Sequence, residues 1–400
     1  MLFLHIFGIV AEFNPFHNGH KYLIQNAREN NDDYIVCVMS GNFVQRGEPA
    51  IISKFARTKA AIANGADLVL ELPLPYSIAS AMYFASGAVQ ILNGLGVIDT
   101  LCFGSESGDI NKIISACDIL NNPSMAGVMK TQLSKGISYP SAMQSAAEKI
   151  AENDVLSVLA NPNDTLAVEY VNAAKKLNTN LKFKAIKRIG AGHDSSAAYE
   201  DFSSASFIRN LLKEGPEKAE KFMPFSSYKI LEEEFNSGRV ADIKNLERGI
   251  VAHLRTISPE TLRNTPDVSE GIENRIILAA NKFSTLDEII GAVKSKRYTY
   301  ARLRRIILAS YLGVGAGLRQ RKVPYIRVLG MNKKGAEVLS LAKKKSSLYV
   351  VGSLKDAERI DRNAAAYTTL ETRAGDIYSL MYKNPIEGKT EYTNRFYKNF

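Results

Sequence analysis

The chain has no tryptophan, only three cysteines and only five histidines among its 400 residues. Cys37, Cys102 and Cys117 form no Cys-x-x-Cys pair and no metal-ligand spacing, which sets aside a zinc site and a disulfide framework. Cys37 and Cys102 lie inside apolar runs, the usual setting of a buried reduced thiol, so a reducing cytoplasmic location is expected. No apolar stretch is long enough to span a bilayer, and no membrane partner is expected. The opening Met1-Leu2-Phe3-Leu4-His5-Ile6-Phe7 lacks a basic leading region and a small-residue cleavage site. It runs on into Glu12 and Asn14 and reads as a first strand rather than a secretion signal. Internal repeats and low-complexity linkers are also absent.

What is there belongs to a folded protein: 46% of residues are hydrophobic and 23% charged. At roughly 100–200 residues per domain, two or three cores are expected. Charge is unevenly spread. Residues 1–110 hold 6 Lys+Arg against 10 Asp+Glu, a net of −4, and residues 281–350 hold 16 against 3, a net of +13. A basic segment tied to a mildly acidic region points to a polyanionic partner. Nothing in the sequence sets the oligomeric state.

Strand-like apolar runs at 2–11, 34–39, 67–72, 97–103 and 181–189 alternate with helical periods at 19–30, 53–64, 78–94 and 164–177. Such alternation predicts an α/β fold, a Rossmann-like parallel sheet over residues 1–215. Ligands on such sheets bind at the carboxyl ends of the strands. From about 204 the pattern is mostly helical, and 216–400 is expected to form a mainly helical, basic region. Within it, 325–329 and 347–351 read as short strands.

The chemistry-bearing signal is Gly8-Ile9-Val10-Ala11-Glu12-Phe13-Asn14-Pro15-Phe16-His17-Asn18-Gly19-His20, followed by Lys21. A strand ends, a short loop follows, and His17-Asn18-Gly19-His20 opens a helix. Residues three apart share a helix face, so both imidazoles project together at an end whose free N–H groups suit phosphate. Two such donors can stabilise a triphosphate as charge builds in the transition state. Gly19 is read as clearing space for a base or ribose.

This segment resembles the HxGH nucleotidyltransferase superfamily. Ser204-Ala205-Ser206-Phe207-Ile208-Arg209 looks like its second signature, with Ser206 as helix cap and phosphate contact and Arg209 as a fixed fork for phosphate oxygens. Further blocks are Ser40-Gly41-Asn42-Phe43-Val44-Gln45-Arg46-Gly47-Glu48-Pro49, Gly65-Ala66-Asp67-Leu68-Val69-Leu70-Glu71-Leu72-Pro73 and Phe103-Gly104-Ser105-Glu106. Asn161-Pro162-Asn163-Asp164-Thr165-Leu166, Lys187-Arg188-Ile189-Gly190-Ala191-Gly192-His193 and Pro324-Tyr325-Ile326-Arg327-Val328-Leu329-Gly330 complete the set. Together they resemble the tRNA(Met) cytidine acetate ligase family over nearly the whole chain. Asp164 after Asn163 and Asp194-Ser195-Ser196 after His193 are the departures.

The resemblance implies ATP-dependent conversion of acetate to acetyl-AMP, then acetylation of the wobble cytidine of elongator tRNA(Met) to N4-acetylcytidine. It implies ATP as co-substrate, Mg²⁺ held mainly through the phosphates with no protein metal ligand assigned, and an ATP site of residues 8–20 with Gly104, Asn163 and Arg188. The basic segment, with Arg297, Arg302, Arg304, Arg305, Arg319, Arg321 and Lys322 among tyrosines, is expected to take the tRNA. Two other readings stand beside this one: adenylylation of a small phosphorylated metabolite, and a non-catalytic RNA-binding protein with a relic nucleotide site. A synthetase is disfavoured because no Lys-Met-Ser-Lys-Ser-like loop is present.

Overall fold

The structure is a computed structural model that describes residues 5–135, 141–142, 145–146, 153–189 and 201–400. Residues 1–4 of the opening run, and Gly190 to His193 with Asp194-Ser195-Ser196, lie outside the described residues.

The first half is built on β1 (Ile6–Ala11), α1 (Asn18–Ala27), β2 (Tyr34–Ser40) and a two-strand hairpin of β3 (Phe43–Val44) and β4 (Glu48–Pro49). It continues through α2 (Lys54–Ala63), β5 (Leu68–Leu72), α3 (Ala81–Leu95), β6 (Thr100–Ser105), α4 (Pro162–Lys176) and β7 (Lys182–Lys187). Then come α5 (Ala205–Leu211), α6 (Tyr300–Leu312), β8 (Tyr325–Asn332), β9 (Tyr349–Val351), α7 (Arg362–Ser379) and β10 (Tyr397–Asn399). Every strand run named from the sequence forms a strand.

The main sheet has the order β10-β8-β5-β2-β1-β6-β7, with β9 beside β8. The strands β5, β2, β1, β6 and β7 are parallel, as expected. Their apolar runs are near-continuous because helices cover both faces. The alternation is explicit in β2. Tyr34, Val36 and Val38 join the core beneath α3 and α4, while Ile35, Cys37 and Met39 face Ile24 and Ala27 of α1 and Ala60 to Ile62 of α2. Each Val, Ile or Met among them taken from water contributes roughly 1.5–3 kcal/mol.

One expectation needs correcting. The sheet is not completed within residues 1–215: β8 pairs antiparallel with β5, and β10 and β9 pair with β8. Without β8, β5 would be an exposed edge carrying Leu68, Leu70 and Leu72, a surface open to aggregation. The intervening residues are mainly helical, with a separate core from Ile250 to Ile307.

Chain order places the site. From β1 the chain goes to β2 on one side and later to β6 on the other, so the order reverses beside β1. Ligand crevices form outside the strand ends at such a reversal.

Candidate active site

The crevice lies there. Its lining takes Val10 to Asn14 from the end of β1, His17, Gly19 and His20 from the start of α1, and Gly104 from β6. Asn163, Arg188, Ser206 and Arg209 also line it.

The histidines are held by the helix start itself. His17 is the N-cap, with φ −135° and ψ 175°, and its Nδ1 accepts the Gly19 N–H at 3.0 Å. The His17 N–H donates to Nδ1 of His20 at 3.2 Å, closing a reciprocal capping box. A backbone N–H can only donate, so both Nδ1 atoms are acceptors and each neutral ring carries its proton on Nε2. The rings stack with centroids 3.7 Å apart. Burial, with Arg188 and Arg209 nearby, lowers the His17 pKa to about 3. Burial, then His17 and Arg188, holds His20 well below its ordinary value. At neutral pH the pair is therefore two uncharged rings, each with one Nε2–H to give.

Arg209 reaches back from α5 and donates to the Asn14 carbonyl at 2.8 Å and to Ser206 Oγ at 3.1 Å. The α5 cap is Ser204, whose side chain accepts from Phe207 N–H, so the capping role expected of Ser206 is corrected. Ser206 instead orients Arg209. On the other flank Glu106 accepts from the Asn163 and Asp164 backbone N–H groups at 3.3 and 2.9 Å and from the Asn163 side chain. Asp164, the departure noted above, is fully buried, bonds Ser105 Oγ and accepts the Ser107 N–H at 3.0 Å. These bonds latch the end of β6 to the start of α4. A Cβ on Gly104 would lie 3.5 Å from Arg188 Cγ, ordinary contact, so the two share one wall.

Several expected residues stand elsewhere. Gly8 is a packing glycine, since a Cβ there would fall 2.9 Å from a Leu92 methyl. Ile9 and Phe16 are buried in the core beside α1. Asn18 ties α1 to the Asp201 and Lys221 carbonyls at 2.9 and 3.0 Å. Pro15 and Lys21 are not among the lining residues. Gly19 lines the crevice, but its constraint is local: a Cβ would sit 2.9 Å from the His17 ring.

Sequence reasoning assigned no role to Gln45 and Arg46 at the hairpin tip, nor to Phe84 and Tyr170, all of which line the crevice. The hairpin lay in a block singled out above. The aromatic pair comes from helix interiors, where a lining ring and a core ring read alike. Among the described residues no group of three or more His, Cys, Asp or Glu could hold a metal ion.

The basic segment differs more from expectation. Arg319 is 5% exposed and donates to the Pro75 and Ile78 carbonyls and to Asp267 Oδ1. Its guanidinium is spent as a structural tie. Arg302 donates to the Asp267 carbonyl at 2.8 Å and lies over the Tyr298 ring, and Arg305 pairs with Asp267 Oδ2 at 2.9 Å. Arg304 pairs with Glu48 and Arg297 with Glu270. Arg321 and Lys322 are exposed, as are Lys294 and Lys296.

Fold and site together define a nucleotidyltransferase of the HIGH class, and the family model described as HIGH Nucleotidyl Transferase matches residues 4–393. The chain is 40% identical over 397 residues to the tRNA(Met) cytidine acetate ligase of Acetivibrio thermocellus, covering 95% of this chain and 96% of that one. It is 38% identical to the protein of the same name from Thermosipho africanus, covering 96% and 97%. The crystal structure of Thermotoga maritima TmcAL bound with alpha-thio ATP matches at TM-score 0.91 and 34% identity over 99% of both chains. The chain belongs to the tRNA(Met) cytidine acetate ligase family.

Proposed function

We propose that this chain joins acetate to AMP and passes the acetyl group to the wobble cytidine of elongator tRNA(Met). In the first step an acetate oxygen attacks the α-phosphorus of ATP. A new P–O bond forms, and the bond to the β-phosphate breaks with its electron pair leaving on pyrophosphate. In the second, the cytidine N4 attacks the acetyl carbon, the C–O bond to AMP breaks, and N4 gives up a proton. The observation that carries the reading is the reciprocal cap of His17 and His20, which presets two Nε2–H donors at a helix start beside Arg188 and Arg209.

Phosphoryl transfer asks for positioning and charge stabilisation rather than a protein nucleophile. Neutral donors and two guanidiniums meet that need. Mg²⁺, when bound, would offset phosphate charge. Its ligands would be mainly phosphate oxygens, which fits a crevice whose lining carboxylate Glu12 already accepts the Gln45 N–H. Gly104 and Asn163 are proposed for the adenosine flank, Arg188 beside them for the phosphates, and the cytoplasm as the site of action. The fold support comes from relatives of the same architecture, one of them solved with an ATP analogue.

The test has two readouts. Pyrophosphate exchange into ATP should require acetate, and tRNA(Met) incubated with protein, ATP and acetate should yield N4-acetylcytidine by nucleoside mass analysis. Exchange that ignores acetate but responds to a phosphorylated metabolite would overturn the reading.

A further inference from the structure

The block from Ser40 to Pro49 has no part in the chemistry described so far, yet it is strongly tied to the crevice. Its hairpin pairs Phe43 with Pro49 and Val44 with Glu48, leaving Gln45-Arg46-Gly47 as the tip. Gly47 has φ +75°, and a Cβ there would meet the Arg305 backbone nitrogen at 2.5 Å, so the tip is pressed against α6. From below, buried Arg57 donates to the Glu12, Ser40 and Ile52 carbonyls at 2.6, 3.1 and 3.1 Å. Gln45 N–H donates to Glu12 Oε1 at 2.8 Å. The tip is thus fixed to the end of β1, with Gln45 and Arg46 lining the crevice.

A second observation points to a ligand at this corner. Asn14 is 2% exposed and lines the crevice. Its Oδ1 accepts the Ile51 N–H at 2.8 Å, which fixes the amide orientation, and its buried Nδ2 has no hydrogen-bond partner. A buried donor without an acceptor is costly unless a ligand completes it. Among the described residues Glu12 and Glu48 are the carboxylates that act on this corner, Glu48 paired with Arg304, and Arg46, Arg57 and Arg209 lie within electrostatic reach of Glu12, so guanidiniums outnumber carboxylates there.

Strand order separates this corner from the adenosine flank. Gly104 lies in β6 and Arg188 follows β7 on one side of β1, and Arg46 follows β2 on the other. With adenosine on the β6 flank and phosphates at α1, the β2 flank is left for the second substrate. We propose that Arg46 and the Asn14 side-chain amide form the subsite for the small carboxylate that attacks the α-phosphorus. The guanidinium supplies the counter-charge and Asn14 one N–H, while an oxygen of the carboxylate remains available for attack. This deepens the acetate-activation reading and rests on it.

The experiment is acetate-dependent pyrophosphate exchange, with KM measured separately for acetate and ATP. Arg46→Gln should raise the acetate KM roughly 10- to 100-fold, the range for losing a hydrogen bond to a charged group. The ATP KM should hardly move. Arg46→Lys should recover part of the loss, since it keeps charge but not the fork. Asn14→Asp retains the acceptor for Ile51 and is nearly isosteric, so the fold should survive. It replaces the free donor with an acceptor and should raise the acetate KM as well. Parallel rises in both KM values would make Arg46 a phosphate ligand and overturn the proposal. Normal exchange with lost tRNA acetylation would place Arg46 on the acceptor side and also overturn it. Acetate-independent exchange in the unaltered protein would instead defeat the function proposed above.

Discussion

His17 serves the fold and the site with different atoms of one ring. Its Nδ1 is spent on the helix cap and its Nε2–H remains for a ligand. Gly19 is required so that this ring can lie over the first turn. His17→Asn keeps a capping oxygen for the Gly19 N–H but is too short to carry a donor to the Nε2 position, so activation should fall by ~10²–10³, the usual cost of one such donor. The same variant tests the charge state. A folded pKa of about 3 lies below the ordinary histidine value, so between about 6.5 and 3 the unfolded chain binds the proton more readily. The stability given by the neutral ring is thus full above pH 6.5 and lost as pH falls through that window. The unaltered protein should lose about 1.4 kcal/mol per pH unit there relative to His17→Asn. Denaturant midpoints at pH 7 and pH 5.5 would check this, and parallel curves would show a ring that protonates normally.

At the scale of elements, the sheet is held to the C-terminal residues by a buried square of charge. Lys54 of α2 pairs with Glu71 of β5 and with Glu391, and Arg327 of β8 pairs with the same two carboxylates at 2.9 and 2.6 Å. All four side chains are nearly inaccessible. Such a square holds its value only when complete, because removing one member strands a charge at a cost of roughly 3–5 kcal/mol. Glu391→Ala should lower stability by about that amount, whereas an exposed pair such as Lys175 with Asp118 should matter little when broken. Thermal unfolding of the two variants side by side is the measurement. Equal small shifts would mean that the square is solvated.

This square also shows what the sequence could not convey. The strands were legible because apolar period and length are local, and the histidine pair because three residues and a strand end suffice. Arg327 and Arg319 count with the basic segment because a cation reads the same whether it faces solvent or a carboxylate 52, 64 or 256 positions away. β10 has only three residues, Tyr397–Asn399, too few for a period to register. Arg46 stood in plain view in its block, but only the fold brings that turn beside Glu12.

Across the whole molecule, the basic segment does two things with its charge. Arg302, Arg305 and Arg319 converge on Asp267, where burial opposes ionisation but Arg319 and Arg305 prevail and keep the carboxyl below its ordinary range. Arg304 ties α6 to Glu48 at the hairpin beside the crevice. Replacing these arginines would damage the frame as well as any RNA contact, so the proposed tRNA contact is better tested on the exposed cations. Lys294, Lys296, Arg321 and Lys322 are exposed in this segment, and Lys294 lies over the exposed ring of Tyr300. If they meet phosphate, each contributes about −0.7 to −0.9 to the slope of log affinity against log salt. The fourfold alanine variant should bind tRNA(Met) more weakly at low salt and with a slope shallower by about 3. It should still form acetyl-AMP without tRNA, because every residue proposed for activation lies before residue 210. Binding would be titrated at several salt concentrations, and acetyl-AMP formation followed without tRNA. An unchanged slope would put the tRNA on another face. A loss of activation equal to the loss of tRNA acetylation would mean that the basic segment also shapes the crevice, through the contact between the hairpin tip and α6.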